Sequence, residues 1–257
     1  QVPHATVALA QATATAVRRT RVTGEDGARV TVCVRDGATR RAVIDDGALR
    51  NRRLAMVATH GRAGEAGARE AGLLLHDGTH GSARGAWLVA AEILAALPLD
   101  GVEHLHLLAC DTHADSPAPG DHLAGLMATL LLRGARSVGA TLWTVNEVPA
   151  ICMAWWFARQ MLRGRRDKAA AFRRALLRLR DATCVEVGAA LAEILRAVAD
   201  RPDADRVAIA ELREAVIKIE NLSERDRAMR PFARTDAWGA FVFHGAPRCY
   251  APRHGAT

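Results

Sequence analysis

The chain carries a series of short apolar runs, each closed by polar or glycine-rich residues, with helix-spaced patterns between them. Residues 54–59 (LAMVAT) are uninterrupted and meet His60 and Gly61. Residues 105–109 (LHLLA) repeat that layout and meet Cys110, Asp111 and Thr112. Residues 137–143 (SVGATLW) form a third run, and residues 239–243 (GAFVF) a fourth. Runs this short and apolar fit parallel strands covered on both faces, and the flanking glycines favour strand over buried helix. Helical patterns occupy 86–96, closed by Pro98, and 122–133, followed by Gly134 at the position favoured just past a helix end. Further helical patterns cover 149–162, 168–181, 185–199 and 205–219. Nearer the start, 7–19 reads as a helix and 29–34 as a strand. Strand and helix in alternation predict an α/β layered fold with a mostly parallel sheet.

Composition narrows this picture without changing it. The 257 residues are 50% hydrophobic and 25% charged, enough for a sizeable core and unlike a disordered chain. The net charge of +7 is almost all arginine, since Lys168 and Lys218 are the only lysines. The longest charge-free apolar runs fall well short of the ~20 residues of a membrane-spanning helix. The first twenty residues show no basic stretch followed by an apolar core. Five scattered cysteines (33, 110, 152, 184, 249) do not form a disulfide framework, and Cys152 and Cys184 read as small core residues. A cytoplasmic location is the expectation.

The candidate chemistry sits where strands end, because open parallel sheets gather ligands and reactive groups at their C-terminal edge. Two strands end there in a His and a Cys. If they are neighbours, the His60 imidazole and the Cys110 thiol approach each other, and a thiol beside imidazole is drawn toward the nucleophilic thiolate. The backbone N–H groups of Gly61 and Cys110 would then hold an oxyanion. Asp111, Trp143, Asn146 and Glu147 belong to the same edge and would line a substrate pocket, although Asp111 could equally accept N–H bonds within its own loop. His104 and His106 share a strand face with Cys110, and His113 and His122 follow in sequence. No CxxC or HExxH spacing accompanies them, so no metal and no organic cofactor are assigned. Nine basic residues between 159 and 180 read as a solvated helix face. The aromatics there (Trp155, Trp156, Phe157, Phe172) have the spacing of a core face.

Five segments together resemble a known family: THG at 59–61, LLACDT at 107–112, GARSVGATLWTVNE at 134–147, KAAAFRRALLRLR at 168–180 and WGAFVFHG at 238–245. They are similar to the CHAT domain, a bacterial caspase-like cysteine peptidase family often joined to tetratricopeptide repeats. The likeness covers roughly residues 50–182 and 236–247, and His60 and Cys110 lie about 50 residues apart, as in caspases. The resemblance implies a three-layer α/β/α caspase-like fold over 1–257, with a helical insert at about 183–235 before the last strand. It implies Cys110 as nucleophile and His60 as general base and acid, in a regulated cysteine endopeptidase acting through a thioester, in bacterial signalling or defence. Leu108 stands where the caspase signature has Gln, and His113 where the family commonly has Gly. The expected partners are a protein substrate and an activating partner or regulatory domain, such as a repeat region, with no membrane and with nucleic acid only indirectly. The chain is accordingly expected to be the C-terminal part of a larger polypeptide, poorly active alone. Two other readings stand beside this one: an inactive caspase-like interaction scaffold, and a nucleic-acid-binding module resting on the basic helix.

Overall fold

The computed structural model describes residues 38–59, 61–62, 71–75, 87–108, 119–162, 167–199 and 206–249. In chain order its elements are α1 (Arg40–Ile44), β1 (Ala55–Ala58), β2 (Gly61–Arg62), β3 (Gly72–Leu74), β4 (Trp87–Val89), α2 (Ala90–Ala96) and β5 (Leu105–Leu108). There follow α3 (Pro119–Leu132), β6 (Ser137–Thr141), α4 (Glu147–Leu162), α5 (Lys168–Asp181), α6 (Cys184–Val198), α7 (Arg206–Glu220), α8 (Glu224–Arg227), α9 (Thr235–Trp238) and β7 (Phe241–Gly245). The expected helix at 7–19 and strand at 29–34 lie outside the described residues.

The four apolar runs form one sheet in the order β1-β5-β6-β7. β1, β5 and β6 are parallel, and β7 is antiparallel to β6. Every residue of β5 and β6 is buried, as strands covered on both faces require. Alternation along the strands separates two cores. Ala55, Leu105, Leu107, Val138 and Ala140 pack with α2 and α3. Leu108, Phe241 and the partly buried Met56 and Phe243 pack with α4, α5 and the helices beyond. The result is the expected three-layer α/β/α arrangement. The insert is helical, with α6 and α7 packed on each other outside α4. Thr183 and Glu186 start α6 by reciprocal capping, the Thr183 hydroxyl accepting from Glu186 N–H at 3.3 Å while Thr183 N–H donates to the Glu186 carboxylate at 2.9 Å. Gly134 closes α3 with φ +109°, as its place in the sequence suggests. Among the described residues no helix is long and apolar enough to cross a membrane.

Three local expectations change. The helix read over 86–96 divides: Trp87–Val89 is a strand, and the helix begins at Ala90. Cross-strand pairing of Leu88 with Leu73 outweighs the helical spacing. β4 completes a small antiparallel sheet, β2-β3-β4, that the sequence pattern does not announce. The last strand starts at Phe241 rather than Gly239, because residues 235–238 take a helical turn that Gly239 caps. Cys184 is not a core residue but the partly exposed first residue of α6, whereas Cys152 is fully buried and its thiol is pushed up to about 12 by burial.

Candidate functional site

β1 and β5 are hydrogen-bonded neighbours, with Ala58 opposite Leu108 in the register. Thr59 N–H extends the pairing, donating to the Leu108 carbonyl at 3.2 Å. The Thr59 hydroxyl donates to the Leu74 carbonyl, so this one buried residue ties the main sheet to the small one. Sequence reading overlooked Thr59, whose role depends on a strand fifteen residues away. Gly61 opens β2 opposite Leu73. His60, Cys110 and Asp111 lie outside the described residues, as does His113.

The other candidate pocket residues follow β6, the strand beside β5, on the sheet edge where β1 and β5 end. Trp143 leaves the sheet after β6 and is 38% exposed. Its indole N–H donates to the Asp236 carbonyl of α9 at 3.0 Å. That bond spans 93 positions and fixes the ring from the far side of the helical insert. Asn146 is exposed, and its carbonyl accepts from Ala150 N–H at 3.3 Å as the first turn of α4 forms. Glu147, half-buried, is the first residue of α4, where a carboxylate suits the positive end of the helix dipole. Trp143, Asn146 and Glu147 therefore share one turn between β6 and α4.

Below this edge, β5 carries an unusual polar stem. His104 and His106 are fully buried on the face toward α4 and α5. His104 stacks on Phe243 (centroids 5.4 Å apart) and meets Phe157 edge-on at 4.7 Å. His106 lies 5.5 Å from Phe157 and 6.1 Å from Phe172. The Ser137 hydroxyl donates to the Glu103 carbonyl, so it accepts from His104 Nδ1–H at 2.9 Å. Among the described residues, His104 Nε2 and both ring nitrogens of His106 have no hydrogen-bond partner. Burial pulls His106 down to about 4, and burial, His106 and Lys168 pull His104 well below its ordinary value. Both imidazoles are therefore neutral at pH 7. Gly139 makes room for them: a Cβ there would lie 2.7 Å from His106 Nδ1 and 3.1 Å from His104 Nε2. Fully buried Lys168 donates to the Glu103 carbonyl at 2.6 Å and reaches the Glu103 carboxylate at 3.4 Å, which also pairs with Arg136. No three His, Cys, Asp or Glu side chains among the described residues gather closely enough to hold a metal ion.

No curated protein matches the chain. The family model of the CHAT domain matches residues 3–246, nearly the whole length. With the three-layer fold and the paired β1 and β5 exits, this match establishes that the chain belongs to the CHAT-domain family, relatives of the caspase-like cysteine peptidases.

Proposed function

We propose that the chain is a cysteine endopeptidase with Cys110 as nucleophile and His60 as its general base and acid. The observation that carries this reading is the parallel register of β1 and β5. Ala58 lies opposite Leu108, and His60 and Cys110 each follow two residues beyond that pair. Two trans peptide units reach at most about 7.6 Å, and adjacent strands lie ~4.8 Å apart. This register supports the reading because it brings the two strand exits that lead to His60 and Cys110 side by side. Helix α4 begins on that edge, and its positive end favours a thiolate and an oxyanion there.

In the proposed reaction His60 takes the Cys110 proton as the sulfur attacks the scissile carbonyl carbon. The oxygen becomes an oxyanion, held by the backbone N–H groups of Gly61 and Cys110. As the C–N bond breaks, the His60 imidazolium gives its proton to the leaving amine, leaving a thioester. Water then attacks the thioester, His60 taking its proton, and the acid product and free thiol are released. Asp111, Trp143, Asn146 and Glu147 shape the pocket for the residue before the cut. The two carboxylates favour a basic residue there, and the Trp143 ring an apolar one. The reading includes an activating partner or regulatory domain, tested by comparing the chain alone with its full-length parent.

The decisive experiment incubates the protein with a peptide library and determines fragment masses. Cleavage by the wild type, absent in Cys110→Ala and His60→Ala proteins of unchanged circular dichroism, is the expected result. Undiminished cleavage by a folded Cys110→Ala protein would sink the peptidase assignment. No cleavage by any form, parent included, would favour an interaction scaffold.

A further inference from the structure

The charge of this chain is concentrated in one place. Residues 159–180 hold nine basic side chains and the single acid Asp167, a net +8, whereas the whole chain is +7, so everything else sums to −1. Arg163, Arg165 and Arg166 lie outside the described residues, and the structure sorts the other six by use. Lys168 is buried against Glu103, and Arg159 is paired with Glu193. Arg180 is engaged with Asp181, which Arg230 also approaches at 3.8 Å. Arg173, Arg174 and Arg178 remain exposed, with no ion-pair partner among the described residues. Across the α9 border of this face, Asp236 is already paired with Arg234.

The three arginines lie on the outer side of α5, whose inner residues Ala171, Phe172, Ala175 and Leu179 are buried. Arg178 is held in place, its guanidinium 4.7 Å over the Trp156 ring. From Arg173 to Arg178 the helix rises about 7.5 Å, and Arg174 and Arg178 stand one turn apart. Guanidinium groups at this spacing match carboxylates one turn apart on a facing helix, with a bidentate bond available to each. A nucleic acid fits less well. Trp155, Trp156, Phe157 and Phe172 are all buried, so none of these four rings is open to a stacking base. Three guanidinium groups over one and a half turns also meet only a few phosphates, too few for a firm grip.

We propose that the outer face of α5 is a docking surface for an acidic, Glu- and Asp-rich segment of a protein partner, held through Arg173, Arg174 and Arg178. This inference does not rest on the peptidase reading, because none of the three arginines belongs to the candidate site.

The test uses the 257-residue chain and a labelled helical peptide with Glu pairs at i, i+4, titrated by fluorescence anisotropy at 50 mM salt. Single-stranded and duplex 20-nucleotide RNA and DNA are titrated in parallel. The expected result is saturable peptide binding that weakens about tenfold or more in Arg173→Glu/Arg174→Glu, as reversing two exposed charge contacts implies. Arg178→Gln should weaken it less, and Arg213→Glu/Arg225→Glu, exposed arginines on α7 and α8, should leave it within twofold. Circular dichroism of each variant should match the wild type, since the substituted positions are exposed. Absent binding, or equal losses in the two double variants, would overturn the proposal. Tighter binding of RNA or DNA through the same arginines would overturn it in favour of a nucleic-acid interface.

Discussion

The two faces of β5 follow different chemistry although they belong to one four-residue strand. Toward α2 and α3 it presents Leu105 and Leu107, both buried in an apolar core. Toward α4 and α5 it presents His106, preceded by His104, in an aromatic cage where three ring nitrogens lack partners among the described residues. The leucine face gains stability from burial at any pH. The imidazole face is stable only while both rings stay neutral, since a charge in that cage is neither solvated nor paired. Both faces hold the same strand, the one that leads to Cys110. The comparison teaches that this strand is anchored by apolar packing on one side and by a condition on protonation on the other.

The largest effect should come from the apolar face. Leu107→Ala should lower the unfolding free energy by about 4 kcal/mol in a urea titration, because the fully packed site cannot collapse around the cavity. A loss under about 1 kcal/mol would show that this face does not anchor β5. On the imidazole face the effect is a pH dependence. His106 titrates at about 4 in the folded protein and ~6.5 when unfolded, so between those values the unfolded chain binds more protons. Its contribution is complete above pH 6.5 and is lost as pH falls toward 4, amounting to about 3 kcal/mol. In His106→Leu that part of the slope should vanish while stability at pH 7 is kept. An unchanged slope would break the comparison.

Gly139→Ala sharpens it further. A methyl group 2.7 Å from His106 Nδ1 and 3.1 Å from a Phe172 ring carbon should cost about 2 kcal/mol. The cost should shrink in a His106→Ala background, which a double-mutant cycle measures. The smallest change in stability, below about 1 kcal/mol, is expected for the half-exposed Trp143→Ala. Its effect should instead be on which residue is preferred before the cut, read from fragment masses. An unchanged cleavage profile would place the pocket elsewhere.

The legible part of the fold was that written in contiguous residues. LHLL and SVGAT hold no Asp, Glu, Lys or Arg and are buried over their whole length because both sheet faces are covered, and the 168–181 pattern forms α5, which Asp167 caps by accepting from Ala170 N–H. The small sheet escaped because its strands are two or three residues long and pair across masking glycine- and alanine-rich sequence. His104 and His106 could be assigned to one strand face by alternation. That the face opposes Phe157, Phe172 and Phe243 depends on helix packing that no local pattern encodes. For the candidate site, the sequence indicated the matched strand ends, and the register of β1 with β5 supplies their adjacency. The tether from Trp143 to Asp236 was invisible because it joins residues on either side of the insert.

The account depends on His60 activating Cys110, and thiol reactivity measures this without knowledge of the substrate. Iodoacetamide alkylation at pH 7, followed residue by residue by mass spectrometry, compares Cys110 with Cys184, whose thiol burial pushes up, and with the buried Cys152. The account predicts that Cys110 reacts at least about tenfold faster than Cys184, and that His60→Ala removes most of this advantage. Equal rates at Cys110 and Cys184, or a Cys110 rate indifferent to His60→Ala, would contradict it.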